Sequence, residues 1–370
     1  MNHKVFYIST GLDKSHYGGS IVAKANLNAI LSNSKLRTTY FAVHRNPMDG
    51  AIKIPTTNSR LGTALANVLL MCATLSPKGF LRLLRSIKQE QPDVVWLDSS
   101  LFGIFIPFIR LLSKQTKIVC FFHNIETDLV RVYAKQNFLY WIAYVATLLN
   151  ERLSAKYADR VVTIQKQDGE QLKRKYFLKR YACVNATITD VFADTANQVS
   201  EASDALDVRY FLFVGSDFPP NIEALRFLNN LVAPELKRSK IIAVGNGLDK
   251  YRSEFTNIDI KGRVEKIAPY YHNAIAALAP LFTGGGMKVK VAEALMFNRG
   301  VIASTFGSIG YENVEHPVIQ IIDNPTEFAH CIENYDFDLG EKPREYYLKY
   351  FSPQSTDVSV KKIIEELLNQ

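Results

Sequence analysis

Short apolar runs punctuate the first half of the chain: KVFYIS (4–9), DVVWLD (93–98), KIVCFFH (117–123) and RVVTIQ (160–165). Each is six or seven residues long, rich in Val, Ile and Phe, and bounded by polar residues, which is the signature of a buried strand. Segments with helical spacing separate them: SIVAKANLNAIL (20–31), SLFGIFIPFIRLL (100–112) and FLYWIAYVATLLNERLSAKY (138–157). The second half repeats the scheme. YFLFVG, KIIAVG, AIAALAPL and GVIAST read as strands, and NIEALRFLNNL and KVKVAEALMF as helices. Strands that alternate with helices predict a parallel sheet covered on both faces. Between the halves lies DVFADTANQVSEASDALDV (190–208), polar and poor in large apolar residues. The pattern therefore predicts an N-terminal doubly wound domain over 1–190, a linker over 191–208, a second doubly wound domain over 209–350, and a C-terminal helix over 351–370 that returns to the first domain. Ligands of such sheets bind at the carboxyl ends of the strands.

A length of 370 residues suits two domains. The four cysteines, Cys72, Cys120, Cys183 and Cys331, form no CxxC pair, so free thiols are expected rather than a metal site or disulfides. MNHKVFYIST carries too short an apolar run for a signal peptide and reads as a first strand, which implies a cytoplasmic protein. The net charge of +8 is unevenly divided. Residues 1–190 hold 26 Lys+Arg against 12 Asp+Glu, whereas residues 191–370 hold 18 against 24. A basic half points to an anionic partner. Arg60 and Lys78 enclose 17 uncharged residues, too few for a spanning helix. The following KGFLRLLRSIKQEQ interleaves Phe80, Leu81, Leu83 and Leu84 with Arg82, Arg85 and Lys88, which predicts a basic amphipathic helix able to lie on an anionic membrane. No nucleic-acid-binding signature accompanies the charge.

The densest chemistry lies in TGGGMKVKVAEAL (283–295), where a strand, a glycine run and a helix follow one another. Main-chain amides at a helix N-terminus, freed of side-chain bulk by glycine, cradle anions. Lys288 and Lys290 add ammonium groups. Glu293 lies three residues past Lys290, on the same helical face. Amides and lysines followed by a carboxylate one turn on fit a nucleoside diphosphate, with phosphates first and ribose second. Lys288 is followed by Val289, so the loop is not the P-loop of ATP-hydrolysing proteins, and no strand-linked GxGxxG suggests a dinucleotide.

These segments resemble glycosyltransferase family 4, the retaining, group 1 glycosyltransferases of the GT-B fold. The resemblance lies in GGGMKVKVAEALMFNRGVIAST, FVGSDFPPNIEALRFL, AVGNG and KGRVEKIAPYYHNAIAALAPL, and extends to YGGS (17–20), FFHNIE (121–126) and ERLSAKYADRVVTIQ. It implies an α/β fold of two Rossmann-like domains facing across a cleft. It implies that Glu293 binds ribose, and that Lys288 and Lys290 bind diphosphate with amides near Gly285, Gly286 and Met287. Gly215 belongs to the same binding surface, and Arg263 and Val264 to the segment beside the base. Gly18 and Gly19 resemble the N-domain glycine loop that approaches phosphates and sugar, and His123 matches the histidine lining the catalytic cleft. His123, Lys288 and Glu293 are the expected catalytic residues.

The sequence also departs from the family pattern. The first of the family's two glutamates falls on Gly285, and the usual Arg and Lys after the first donor-domain strand give way to Ser216, Asp217 and Asn221. DFD (336–338) has the form of the metal-binding motif of another transferase class, but no metal is expected because lysines and amides supply the positive charge. The resemblance implies transfer of a sugar from a nucleotide sugar to a glycan or lipid-linked acceptor, in bacterial surface polysaccharide synthesis, beside an anionic membrane, without a cofactor. A nucleotide-sugar epimerase or hydrolase of the same fold, and a non-catalytic partner subunit, are the competing readings.

Overall fold

The computed structural model describes residues 3–14, 18–71, 74–134, 138–195, 209–284 and 287–369. The chain divides into two compact units, residues 1–187 with 353–370, and residues 188–352.

The first unit contains strands β1 (His3–Ser9), β2 (Leu36–Ala42), β3 (Ile52–Lys53), β4 (Val94–Leu97), β5 (Lys117–Phe122), β6 (Arg160–Thr163) and β7 (Tyr181–Cys183). Its helices are α1 (Gly18–Leu31), α2 (Arg60–Val68), α3 (Pro77–Glu90), α4 (Phe105–Leu112), α5 (Glu126–Ala134), α6 (Phe138–Tyr157) and α7 (Lys166–Tyr176). The sheet order is β3-β2-β1-β4-β5-β6-β7. Its registered pairs are all parallel. Both faces are covered, as the run of apolar residues demands. Phe6 and Ile8 join one core with Val95, Leu97, Ile118 and Cys120. On the opposite face a row of rings, Tyr7, Trp96 and Phe121, crosses three strands at 6.3 Å spacings. The strand order reverses between β1 and β4, which opens a crevice at their carboxyl ends.

The second unit begins with the short α8 (Phe192–Thr195), which lies within the segment read as a linker; residues 196–208 lie outside the described residues. Then come β8 (Tyr210–Val214), α9 (Pro219–Phe227), β9 (Lys240–Val244), β10 (Asp259–Gly262), α10 (Ala268–Asn273), β11 (Ala276–Ala279), α11 (Val289–Met296), β12 (Gly300–Ala303), β13 (Ile319–Ile321), α12 (Pro325–Glu333) and α13 (Lys342–Tyr350). The parallel sheet runs β10-β9-β8-β11-β12-β13, and its order reverses between β8 and β11. Tyr210 and Leu212 face one core and Phe211 and Phe213 the other, the period of two expected of a strand buried on both sides. The last helix, α14 (Pro353–Leu368), belongs to the first unit, where it packs on α1; its Val360, Ile364 and Leu367 are buried, and Glu366 pairs with Arg160 at 3.1 Å.

The amphipathic helix predicted over 78–91 is α3, but its apolar face is not available to a membrane. Phe80, Leu83 and Ile87 are buried in the core of the first unit. Only Leu81 among its large apolar residues stays exposed, together with Lys78, Arg82, Arg85 and Lys88. No helix among the described residues is long and apolar enough to cross a membrane. Cys120 is buried, Cys183 is exposed rather than buried, Cys331 is half-buried, and Cys72 lies outside the described residues.

Candidate functional site

Each sheet carries its chemistry at its own reversal point. In the second unit, the carboxyl ends of β8 and β11 and the start of α11 enclose a pocket of about 300 Å³. Val214, Gly215, Phe218, Pro220, Asn221, Thr283, Gly284, Met287, Lys288, Lys290 and Glu293 line it. Gly284 adopts a φ of +113°, which an L side chain would strain. At Gly215 a Cβ would stand 2.7 Å from Asn221, so glycine there is what lets Asn221 tuck against the strand end. Asn221 Nδ2 donates to the Ser216 carbonyl (2.9 Å), leaving its Oδ1 to accept from Lys290 Nζ (2.9 Å).

Lys290 is poised by its surroundings. Its ammonium lies 4.0 Å from the Phe213 ring centroid and its pKa is pulled down to about 7 by burial, only partly offset by the charge of Glu293. Burial also raises the Glu293 carboxyl, against the opposing effects of the Tyr271 hydrogen bond and Lys290. Tyr271 Oη donates to Glu293 Oε2 at 3.1 Å and is itself fully buried, so the carboxylate is held from beneath by a rigid ring stacked on Phe297. Lys288 is 7% exposed, and its Nζ lies 4.3 Å from the Phe306 ring centroid. Tyr311 Oη donates to the Lys288 carbonyl at 2.7 Å and accepts from the Ala292 amide at 3.2 Å, which fixes the first turn of α11. The pocket thus presents two ammonium-bearing side chains and a braced carboxylate one turn apart.

The sequence-predicted residues fall into three groups. Gly215, Met287, Lys288, Lys290 and Glu293 meet in this pocket. Gly285 and Gly286 lie outside the described residues. Arg263 and Val264 do not line the pocket: they follow β10, on the far side of β9, with Arg263 exposed and Val264 packed into the core. Asp217, where the family pattern places a cation, instead accepts from Lys250 Nζ (2.6 Å) and Tyr251 Oη (2.9 Å). Asp336 and Asp338 of the DFD segment are exposed, and no cluster of three or more His, Cys, Asp or Glu able to hold a metal occurs among the described residues.

In the first unit, Gly18 and Gly19 open α1, beyond the carboxyl end of β1, and His123 follows β5. The pivotal group here is one the sequence reading passed over, Asp98, fully buried immediately after β4. Ser9 Oγ donates to its Oδ2 at 2.8 Å and Asn26 Nδ2 to its Oδ1 at 3.2 Å. His123 Nε2 meets both Asp98 Oδ2 (3.1 Å) and the Asp98 carbonyl (3.2 Å). Both partners are acceptors, so Nε2 carries the proton. Nδ1 is buried without a hydrogen-bond partner among the described residues. Burial lowers the proton affinity of His123, but the charge of Asp98, its hydrogen bonds and Glu126 outweigh it, and the pKa is raised. The signal for Asp98 was present in DVVWLD, an acid at the end of a central strand.

Residues 208–335 match the sequence profile of the family described as Glycosyl transferases group 1. No curated protein matches the chain in sequence. Among solved structures, sucrose-phosphate synthase from Thermosynechococcus elongatus is similar over 99% of both chains, with a TM-score of 0.71 at 15% identity. HepE from Anabaena, solved with UDP and glucose, is similar over 98% of this chain and 100% of its own, with a TM-score of 0.62 at 11% identity. The lipopolysaccharide outer core galactosyltransferase WaaB is similar over 99% of both chains, with a TM-score of 0.65 at 14% identity. These likenesses establish the fold, which is GT-B.

Proposed function

We propose, proceeding from the match of residues 208–335 to the Glycosyl transferases group 1 family, that this chain transfers a hexose from a nucleoside diphosphate sugar to a glycan or lipid-linked acceptor, with retention at the anomeric carbon. The observation that carries the reading is the pocket at the β8/β11 reversal, where Lys288, Lys290 and Glu293 converge. Lys288, Lys290 and the amides opening α11 receive the diphosphate, and Glu293 accepts hydrogen bonds from the ribose. The bond from the anomeric carbon to the β-phosphate oxygen breaks with its electron pair leaving on the phosphate. The acceptor oxygen bonds to the same face of that carbon, and its proton passes to the departing phosphate. Charge grows on the β-phosphate as the bond breaks, so fixed ammonium groups stabilise the transition state more than the ground state. HepE, whose structure contains UDP, supports a nucleotide donor by analogy of fold.

In the first unit the acceptor approaches Gly18, Gly19 and His123, whose buried Nδ1 has no hydrogen-bond partner among the described residues. The reaction needs no metal, and the protein works in bacterial surface polysaccharide synthesis on the cytoplasmic side of an anionic membrane. A panel of nucleoside diphosphates and their sugars, screened by thermal shift, tests the reading. A ligand that binds only the folded chain raises its midpoint according to RT ln(1 + [L]/Kd). At least one nucleoside diphosphate should raise it, and donor turnover should require acceptor. Failure of every nucleotide refutes the reading, and turnover without acceptor makes the protein a hydrolase or epimerase.

A further inference from the structure

We infer that α2 is the element that docks this protein on an anionic lipid bilayer, with Leu61, Leu65 and Val68 entering the headgroup region. A helix on the surface of a globular unit ordinarily turns its apolar stripe inward. Here the order is inverted. Leu61 is 80% exposed, Leu65 65% and Val68 60%, at spacings of four and three residues that place them on one face. The inner face is small and polar: Thr63, Ala64 and Asn67 look toward Tyr140 and Ala143 of α6, and Ala66 is the buried residue of the helix.

Polar bonds hold α2 in place, so its leucines are not spent on packing. Ser59 Oγ caps the helix by accepting from the Gly62 amide at 3.0 Å, and Thr63 Oγ1 pairs with Thr57 Oγ1 at 2.7 Å. Just past the helix, the Leu70 carbonyl accepts from Asn150 Nδ2 at 2.9 Å. An apolar face left outward in this way marks an interaction surface.

The surrounding charge selects the partner. Residues 50–89 contain no Asp or Glu but six cations: Lys53, Arg60, Lys78, Arg82, Arg85 and Lys88. The Thr57 amide donates to the Thr74 carbonyl at 2.7 Å, which brings the start of α2 close to the segment that leads into α3. The segments that enter the two helices thus lie side by side, and α2 carries a cation of its own in Arg60. Apolar side chains among cations, with acids excluded over forty residues, match a surface of phosphates above hydrocarbon. The inference deepens the membrane partner proposed above and rests on that reading, while moving the apolar contact from α3, whose Phe80, Leu83 and Ile87 are in the core, to α2.

Flotation of the full chain with vesicles tests it, using phosphatidylcholine alone or with 30 mol% phosphatidylglycerol. The chain should float with the anionic vesicles and not with the neutral ones. Leu61→Ser and Leu65→Ser should each lower the partition coefficient roughly tenfold, from the apolar surface lost. Arg60→Glu should lower it at least fivefold, on the scale of about 1 kcal/mol per cation near such a surface. Phe177→Ala removes the 88% exposed Phe177 from α7's carboxyl end and should leave partition unchanged. Because Leu61 and Leu65 are exposed, their variants should keep the wild-type thermal midpoint and nucleotide affinity. Absence of flotation, flotation indifferent to the leucines, or flotation abolished by Phe177→Ala each overturns the inference. Flotation as described by a chain that binds no nucleotide would uphold the docking surface while refuting the transferase reading.

Discussion

Lys290 should couple donor binding to proton uptake. In the ligand-free pocket it titrates near 7. A diphosphate placed against it favours the ammonium form and raises that pKa. Binding then takes up a proton at any pH between the free and the bound value, and affinity falls as pH rises through 7. The free site is mostly protonated at pH 6.5 and mostly neutral at pH 8.5, so affinity for a nucleoside diphosphate sugar should fall roughly tenfold or more across that range, on the order of 1–2 kcal/mol. The sugar nucleotide is the right probe, because its phosphodiester groups do not titrate there. Calorimetry at pH 8 in buffers of different ionisation enthalpy should count close to one proton per binding event. Lys290→Arg keeps its charge at every pH and should flatten the slope. A wild-type affinity that stays level from pH 6.5 to 8.5, or a slope that survives in Lys290→Arg, would refute the assignment of Lys290 to the diphosphate. The same depressed pKa has a consequence for the ligand-free fold. Between about 7 and 10.5 the unfolded chain holds a proton that the folded pocket has lost, so this group's contribution to stability rises with pH over that interval.

Asp98→Asn should lower the pKa of His123, because the charge that holds it up is gone, and should cost about 1–3 kcal/mol of stability through its buried bonds. An NMR titration of His123 that does not move would assign the carboxylate a packing role alone. His123→Ala should reduce kcat and kcat/KM together while nucleotide affinity stays near wild type, and normal turnover would remove His123 from the site. Full activity should persist in EDTA. Loss of turnover in chelator, restored by Mg²⁺ or Mn²⁺, would contradict a site neutralised by lysines and amides.

The central strands were legible because burial on both faces writes a continuous apolar run. Five edge or near-edge strands were not. In β3 both residues are exposed, β7 and β13 are three residues long, and β10 reads DIKG, so none accumulates an apolar signal. β2, LRTTYFA, is interrupted by Arg37 and the two threonines. In the donor-type pocket, Lys288, Lys290 and Glu293 could be read from a single segment because one helix turn carries all three. Tyr271 and Asn221, which brace Glu293 and Lys290, arrive from other elements and carry no local signature. The Asp98–His123 pair is 25 residues apart in sequence and becomes adjacent only through the pairing of β4 with β5. Helical periodicity showed that α3 has an apolar face but not what that face meets; the core claimed Phe80, Leu83 and Ile87. By the same limitation, the leucines of α2 could not be distinguished in sequence from a core stripe.

The most direct test of the account is the affinity of Glu293→Gln for two ligands, measured by calorimetry at pH 6, where Lys290 is largely charged. One ligand is the nucleoside diphosphate that stabilises the wild type most, and the other is inorganic pyrophosphate, which has no ribose. If Glu293 receives the ribose while the lysines hold the phosphates, the substitution should weaken the nucleotide by about 1.5–3 kcal/mol, the range of a hydrogen bond to a charged group, and leave pyrophosphate within a factor of about two. Equal loss for both ligands, or no loss for either, would contradict that division of the pocket.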